Sequence, residues 1–184
     1  MQLTFDTSIR LLSKLVVIAT LLLIFAGALI KSHEVGLSVP DWPTSYGKQM
    51  FSFPLSEMVG GIFYEHGHRV FATIVGFLTL VLAVLIGFSN QPQWVKKTSL
   101  LALILVVCQG LLGGMTVLYF LPPPISILHG ILAQTFFALT IFISYSQSKI
   151  RTKKQQLSSV LYMRRGAVIL ASLVYFQLIL GALM

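Results

Sequence analysis

The sequence predicts an all-α membrane protein, an antiparallel four-helix transmembrane bundle followed by a fifth transmembrane helix, with its N-terminus in the cytoplasm. Three observations predict it. First, the 184 residues are 56% hydrophobic and only 10% charged, with a mean hydropathy of +0.88, whereas a soluble domain is about 25% charged. Second, the apolar residues gather into five runs, roughly 11–30, 69–88, 99–120, 125–145 and 166–184. Each is close to the about 20 residues that carry a helix across a bilayer core. The runs are continuous and lack the period-two alternation of strands. Third, lysine and arginine alternate between the predicted loops. Arg10, Lys14, Lys96, Lys97, Lys149, Arg151, Lys153, Lys154, Arg164 and Arg165 fall on one side, and only Lys31, Lys48 and Arg69 on the other. The positive-inside rule places the richer side in the cytoplasm. The net charge of +8 is therefore a topology signal, and nucleic acid is not an expected partner.

Taken in order, the first run is too long for a signal-peptide core, and Lys31-Ser32-His33-Glu34 follows it in place of a small-residue cleavage site. The outer loop after it is rich in turn formers, including Pro40-Asp41-Trp42-Pro43 and Ser45-Tyr46-Gly47. Its aromatic residues Trp42, Tyr46, Phe51 and Phe53 suit an interfacial belt. Pro54-Leu55-Ser56-Glu57 predicts the start of a short surface helix that Gly60-Gly61 ends. Span two opens on Tyr64-Glu65-His66-Gly67-His68-Arg69. Span three contains Gln109-Gly110-Leu111-Leu112-Gly113-Gly114 and the single cysteine, Cys108, which reads as a small core residue. Leu121-Pro122-Pro123-Pro124 is a rigid turn that starts span four. The domain reading is a bundle over 1–148, a basic cytoplasmic linker over 149–165 and a fifth helix over 166–184. Spans one and five end alike, on Gly27-Ala28-Leu29-Ile30 and Gly181-Ala182-Leu183-Met184, a faint internal repeat.

Ionisable groups are costly near hydrocarbon and mark function. All four histidines, with Glu34, Asp41, Glu57 and Glu65, fall on the predicted outer side. Spans two and four are diagonal in an up-down bundle, so His68 and His129 can face each other across its outer half. Two histidines on facing helices are a usual way to hold a haem by two axial imidazoles. Glu65 is three residues before His68, about 4.5 Å along the axis and on the same face. A zinc site is the weaker alternative, because His66 and His68 face apart on a helix. His33 and His66 also read as ordinary interfacial histidines, and Glu65 as a first-turn carboxylate favoured by the helix dipole. Gln109 in mid-membrane needs a hydrogen-bond partner, on a neighbouring helix or on a ligand. Arg69 either snorkels to the interface or pairs with an acidic ligand group. The three glycines of span three admit another backbone or a flat ligand.

Gly36-Leu37-Ser38-Val39-Pro40-Asp41-Trp42-Pro43, Glu65-x-x-His68-Arg69, the glycine-rich stretch from Gln109 and Leu128-His129 together resemble the haem A synthase family of cytochrome oxidase assembly. The resemblance covers the N-terminal half of the family's eight-span form plus the first span of the second half. It implies an enzyme that converts the C8 methyl of haem O to the formyl group of haem A by two hydroxylations and loss of water. Haem O would sit between His68 and His129, Arg69 would meet a propionate, Gln109 would line the site and Glu65 would be the catalytic carboxylate. A b-type haem belongs to the family's other half. The implied partners are haem O, the lipid bilayer, a partner half or a second copy, and haem O synthase or oxidase assembly factors. The implied location is a bacterial inner or plasma membrane, with the site on the extracytoplasmic side. The loop-one cysteine pair that some members of the family carry is missing here. The alternative reading is a non-catalytic bis-histidine protein, a cytochrome b-like electron carrier or a haem carrier.

Overall fold

The computed structural model describes residues 2–148 and 160–183. The described residues are helical, with turns and no named strand. The helices are α1 (Gln2–Ser32), α2 (Gly61–Phe88), α3 (Gln93–Leu118), α4 (Pro123–Ser146) and α5 (Val160–Leu183). All five contain stretches long and apolar enough to cross a membrane, so the chain is a multi-pass membrane protein.

The helices outrun the hydropathy signal at their polar ends. The apolar run of span two begins at residue 69, but α2 begins at Gly61, where Gly60 turns the chain at φ +54°. The polar stretch from Tyr64 to Arg69 is therefore helical, closed by an i,i+4 ion pair between Glu65 and Arg69. The expected surface helix is one 3-10 turn, Leu55–Glu57, and Gly61 starts α2 rather than ending that turn. α3 starts after Pro92, and α4 starts at Pro123, where a missing N–H costs nothing. Before it, Phe120 and Leu121 both hold φ +57°, which makes the turn tight. α5 already includes residues 160–165. The remainder of the expected linker, 149–159, lies outside the described residues.

α1 packs on α2 and α4, and α3 packs on α2 and α4; α5 touches α4. Late α1 meets early α2 at Gly27 and His68, and late α3 meets early α4 at Gly113 and His129. At the other end Arg10 Nε donates to the carbonyl of Gln147 (3.0 Å). The apolar core occupies that end: Ile9, Val16, Val75, Leu82, Ile86, Val95, Ala102, Phe136 and Ile143 are buried together. Hydroxyl groups inside it are satisfied within their own helices. Thr20 and Thr79, for example, donate to the carbonyls of Val16 and Val75 (2.7 and 2.8 Å). With the polar groups of the core satisfied locally, the unpaired ones collect at the opposite end.

Candidate functional site

Glycine decides where the two histidine rings lie. His68 projects from α2 onto α1, where a methyl group on Gly27 would sit 3.2 Å from its Cε1. His129 projects from α4 onto α3, where a methyl group on Gly113 would sit 3.3 Å from its Cε1. Contacts that short are tighter than side chains ordinarily tolerate, so each ring rests on bare helix backbone. The two imidazoles are within electrostatic reach of each other. On both rings Nδ1 is buried without a hydrogen-bond partner.

Two more buried acceptors or donors share this end without partners, Oε1 of Gln109 and Oγ of Ser126. The other end of the Gln109 amide donates from Nε2 to the carbonyl of His129 (2.8 Å), so α3 fixes the backbone that carries the histidine. Ser126 lies three residues before His129, one turn earlier on α4. An orphaned buried polar atom costs about 1–3 kcal/mol. Four of them at one end of the bundle, beside two rings seated on glycine, fit a site for a flat group with polar and metal-binding positions. The donor set suits haem iron: one imidazole from each of two neighbouring helix pairs.

Glu65 and Arg69 are brought together, but around the loop between α1 and α2. Glu65 is 4% exposed. Its Oε1 accepts from Arg69 Nη2 (2.6 Å) and its Oε2 from the backbone N–H of Val39 (2.8 Å). Arg69 also donates from Nη2 to the carbonyl of Val39 (2.6 Å) and from Nη1 to those of Asp41 (2.6 Å) and Thr44 (3.2 Å). All four terminal N–H groups are used, which leaves only Nε–H for a further acceptor.

The loop itself is closed by Asp41, whose carboxylate accepts from the Thr44 hydroxyl and from the N–H groups of Tyr46 (2.7 Å) and Gly47 (2.9 Å). Burial pulls the Asp41 pKa up, but these donors outweigh it and hold the carboxyl below its ordinary value. The belt expectation fails for one of the four aromatics. Tyr46 and Phe51 are exposed, but Phe53 is buried and its ring packs on His66 at 4.7 Å between centroids. Trp42 lies flat on α3, its indole over Gly114. His66 is buried too, with Nδ1 2.9 Å from Ser45 Oγ, and is not an interfacial surface group. His33 stays exposed, stacked on Tyr64 at 4.8 Å. Among the described residues no three His, Cys, Asp or Glu side chains gather as a metal-ion group.

Gly27 and Ser126 were not singled out by sequence, and Gln109 was. Gly27 carried a signal only as part of the Gly-Ala-Leu repeat. The ring that meets it comes from another helix.

Comparison with known proteins matches residues 10–184 to the COX15-CtaA model, described as cytochrome oxidase assembly protein. Among relatives, the chain is 30% identical over 131 residues to a protein named heme A synthase from Shewanella oneidensis, covering 64% of this chain and 39% of that one. It is 24% identical to the heme A synthase of Bacillus cereus (78% of this chain, 46% of that one). It is 23% identical to that of Listeria welshimeri (83% and 49%). The chain thus spans less than half the length of these relatives. No solved structure matches it. A family match over nearly the whole chain, which includes the residues that build the histidine end of the bundle, means that the chain belongs to the COX15-CtaA family of cytochrome oxidase assembly proteins.

Proposed function

We propose that the chain is a haem A synthase-type membrane oxidoreductase unit acting in haem A biosynthesis, converting the C8 methyl of haem O to a formyl group. One observation carries the reading: two imidazoles from different helices, each seated on a neighbour's glycine, each with a buried unpartnered Nδ1. His68 and His129 would hold the haem iron. Gln109, free at Oε1, would meet a polar substituent, and Arg69 retains one N–H for a propionate. The haem would supply the methyl that is oxidised, with the oxygen coming from water and the electrons leaving to an external acceptor. Glu65 contributes negative charge one turn from His68, where it would steady developing positive charge or accept a proton. The N-terminus would lie in the cytoplasm and the site on the outer side of a bacterial inner or plasma membrane, a topology that the charge count supports. Because the chain spans less than half the length of these relatives, activity would draw on a partner half or a second copy.

The test is a reduced-minus-oxidised absorption spectrum of the purified protein beside His68→Ala and His129→Ala, with extracted haem identified by mass spectrometry. Low-spin haem lost in both variants is the expected result, with haem O or haem A present. Haem retained in both would sink the site. A second reading has a specific observation behind it. Glu65 is already engaged by Arg69 and Val39, which suits a non-catalytic bis-histidine electron carrier or haem carrier. Glu65→Gln separates the two, since it leaves haem binding in place and stops haem A formation only in the synthase.

A further inference from the structure

The outer loop is held more firmly than a connection requires. Arg69 grips three of its carbonyls, and Glu65 takes the N–H of Val39. His66 meets Ser45, and the Tyr46 hydroxyl donates to the Ser38 carbonyl. At the start of α2, a methyl group on Gly61 would lie 2.1 Å from Ser38 Oγ, so the loop also lies against bare backbone there. What this grip delivers is Trp42. A methyl group on Gly114 would lie 2.5, 2.6 and 2.9 Å from Cδ2, Cε2 and Cε3 of its indole. No side chain fits beneath the ring. The residue before, Gly113, carries the imidazole of His129. Consecutive backbone positions of α3 therefore support the indole and one of the two histidines.

We propose that Trp42 is the outer wall of the His68–His129 site, a positioning residue that retains a flat ligand and excludes water. The Glu65–Arg69 pair is the latch that seats it. The proposal rests on the haem reading for the identity of the ligand, and on the loop contacts alone for the latch. An indole covers about 150–250 Å² of apolar area, so its removal opens one side of the site. The latch turns on the Arg69 charge, while position 65 needs only an acceptor for the Val39 N–H. Arg69 spends its donors on loop carbonyls, and Glu65 neutralises it while holding the first of those residues by its N–H.

Two measurements test this. The chain has two tryptophans, Trp42 and Trp94. Trp94 sits at the start of α3, about 30 Å along the axis from Gly114, against Phe142. In a Trp94→Phe background the emission of ligand-free protein in nanodiscs reports Trp42 alone. Acrylamide should quench it poorly. Gly114→Ala and Arg69→Gln should each shift the emission to the red and make it quenchable. Unchanged shielding in both overturns the latch, whatever the ligand.

The second measurement follows release of bound haemin to excess apomyoglobin by Soret absorbance. Trp42→Ala and Gly114→Ala should each speed release about tenfold, and Trp42→Phe should restore most of the retention. The double variant should release no faster than Trp42→Ala alone, because the added methyl group then has no ring to strike. Additive effects, or release at the wild-type rate in Trp42→Ala, overturn the wall. If wild-type protein takes up no haemin, the haem reading fails and the wall with it, while the emission measurement still decides the latch.

Discussion

The glycine seats under the two histidines allow a prediction that separates site geometry from stability. Replacing Gly27 by alanine puts Cβ 3.2 Å from His68 Cε1, and replacing Gly113 puts it 3.3 Å from His129 Cε1. Ordinary contact begins near 3.4 Å, so each ring must retreat by a few tenths of an ångström. Overpacking costs about 1–3 kcal/mol, and alanine returns up to about 1 kcal/mol of helix propensity. The net change in fold stability is therefore small, within about 2 kcal/mol. Ligand affinity has no such compensation, because a displaced imidazole must re-aim at the iron. Losses from disturbed supporting groups at metal sites run about 10–100-fold. The assay is haemin titration by Soret absorbance, beside thermal unfolding of the same preparations. Gly76→Ala is the control, since nothing lies within 4 Å of a methyl group there. If Gly27→Ala and Gly113→Ala bind haemin like the wild type, or no more weakly than Gly76→Ala, the seats do not aim the rings.

Other predictions concern the loop and α5. Arg69→Gln strands the buried Glu65 carboxylate and should destabilise by about 3–5 kcal/mol. Glu65→Gln keeps an acceptor for Val39 and three carbonyls for Arg69, and should cost about 1–3 kcal/mol; denaturant unfolding in mild detergent would expose a reversed order. Asp41 is held below its ordinary value of 3.8, so the loop stability it contributes is full above that pH and is lost as pH falls through the folded value. Trp42 emission in the Trp94→Phe background should show this acid step, and Asp41→Asn should lack it. The Tyr175 hydroxyl bonds to Thr135 and ties α5 to α4. Tyr175→Phe should loosen that contact by about 0.6 kcal/mol and no more than about 1.7 kcal/mol, read as faster deuterium uptake over 164–181 with α1–α4 unchanged.

The five spans were legible because hydrocarbon selects for long apolar runs, and nothing else in the chain imitates them. Their ends were less so. Hydropathy is blind to a helix that continues through Glu65, His66 and Arg69, where pairing across the turns and to the loop replaces apolarity. His68 and His129 were legible as residue types at matching positions in two spans. Their seats were half legible. The glycines of α3 announced a close approach, but whether backbone, indole or imidazole arrives there is decided by other elements. The docking of Trp42 on α3 was not legible because the grip that turns the loop acts over 25–30 residues of sequence. Its acceptors are backbone carbonyls, which every residue owns and no sequence advertises. The reading of Arg69 missed the loop for the same reason, since three of its four acceptors are backbone carbonyls.

The seat of the outer loop is divided between two helices. Glu65, His66 and Arg69 belong to α2, and Gly114 belongs to α3. Synthesis delivers the loop before either of them. Segment 38–47 therefore emerges with nowhere to dock, gains half of its seat when the second span enters the bilayer, and can settle Trp42 only after the third has arrived. Until then the segment lacks these contacts, and afterwards its backbone is pinned to α2. Docking is thus a timestamp on insertion, and cleavage within 38–47 in a pulse-labelled cell would date the moment at which three spans have come together.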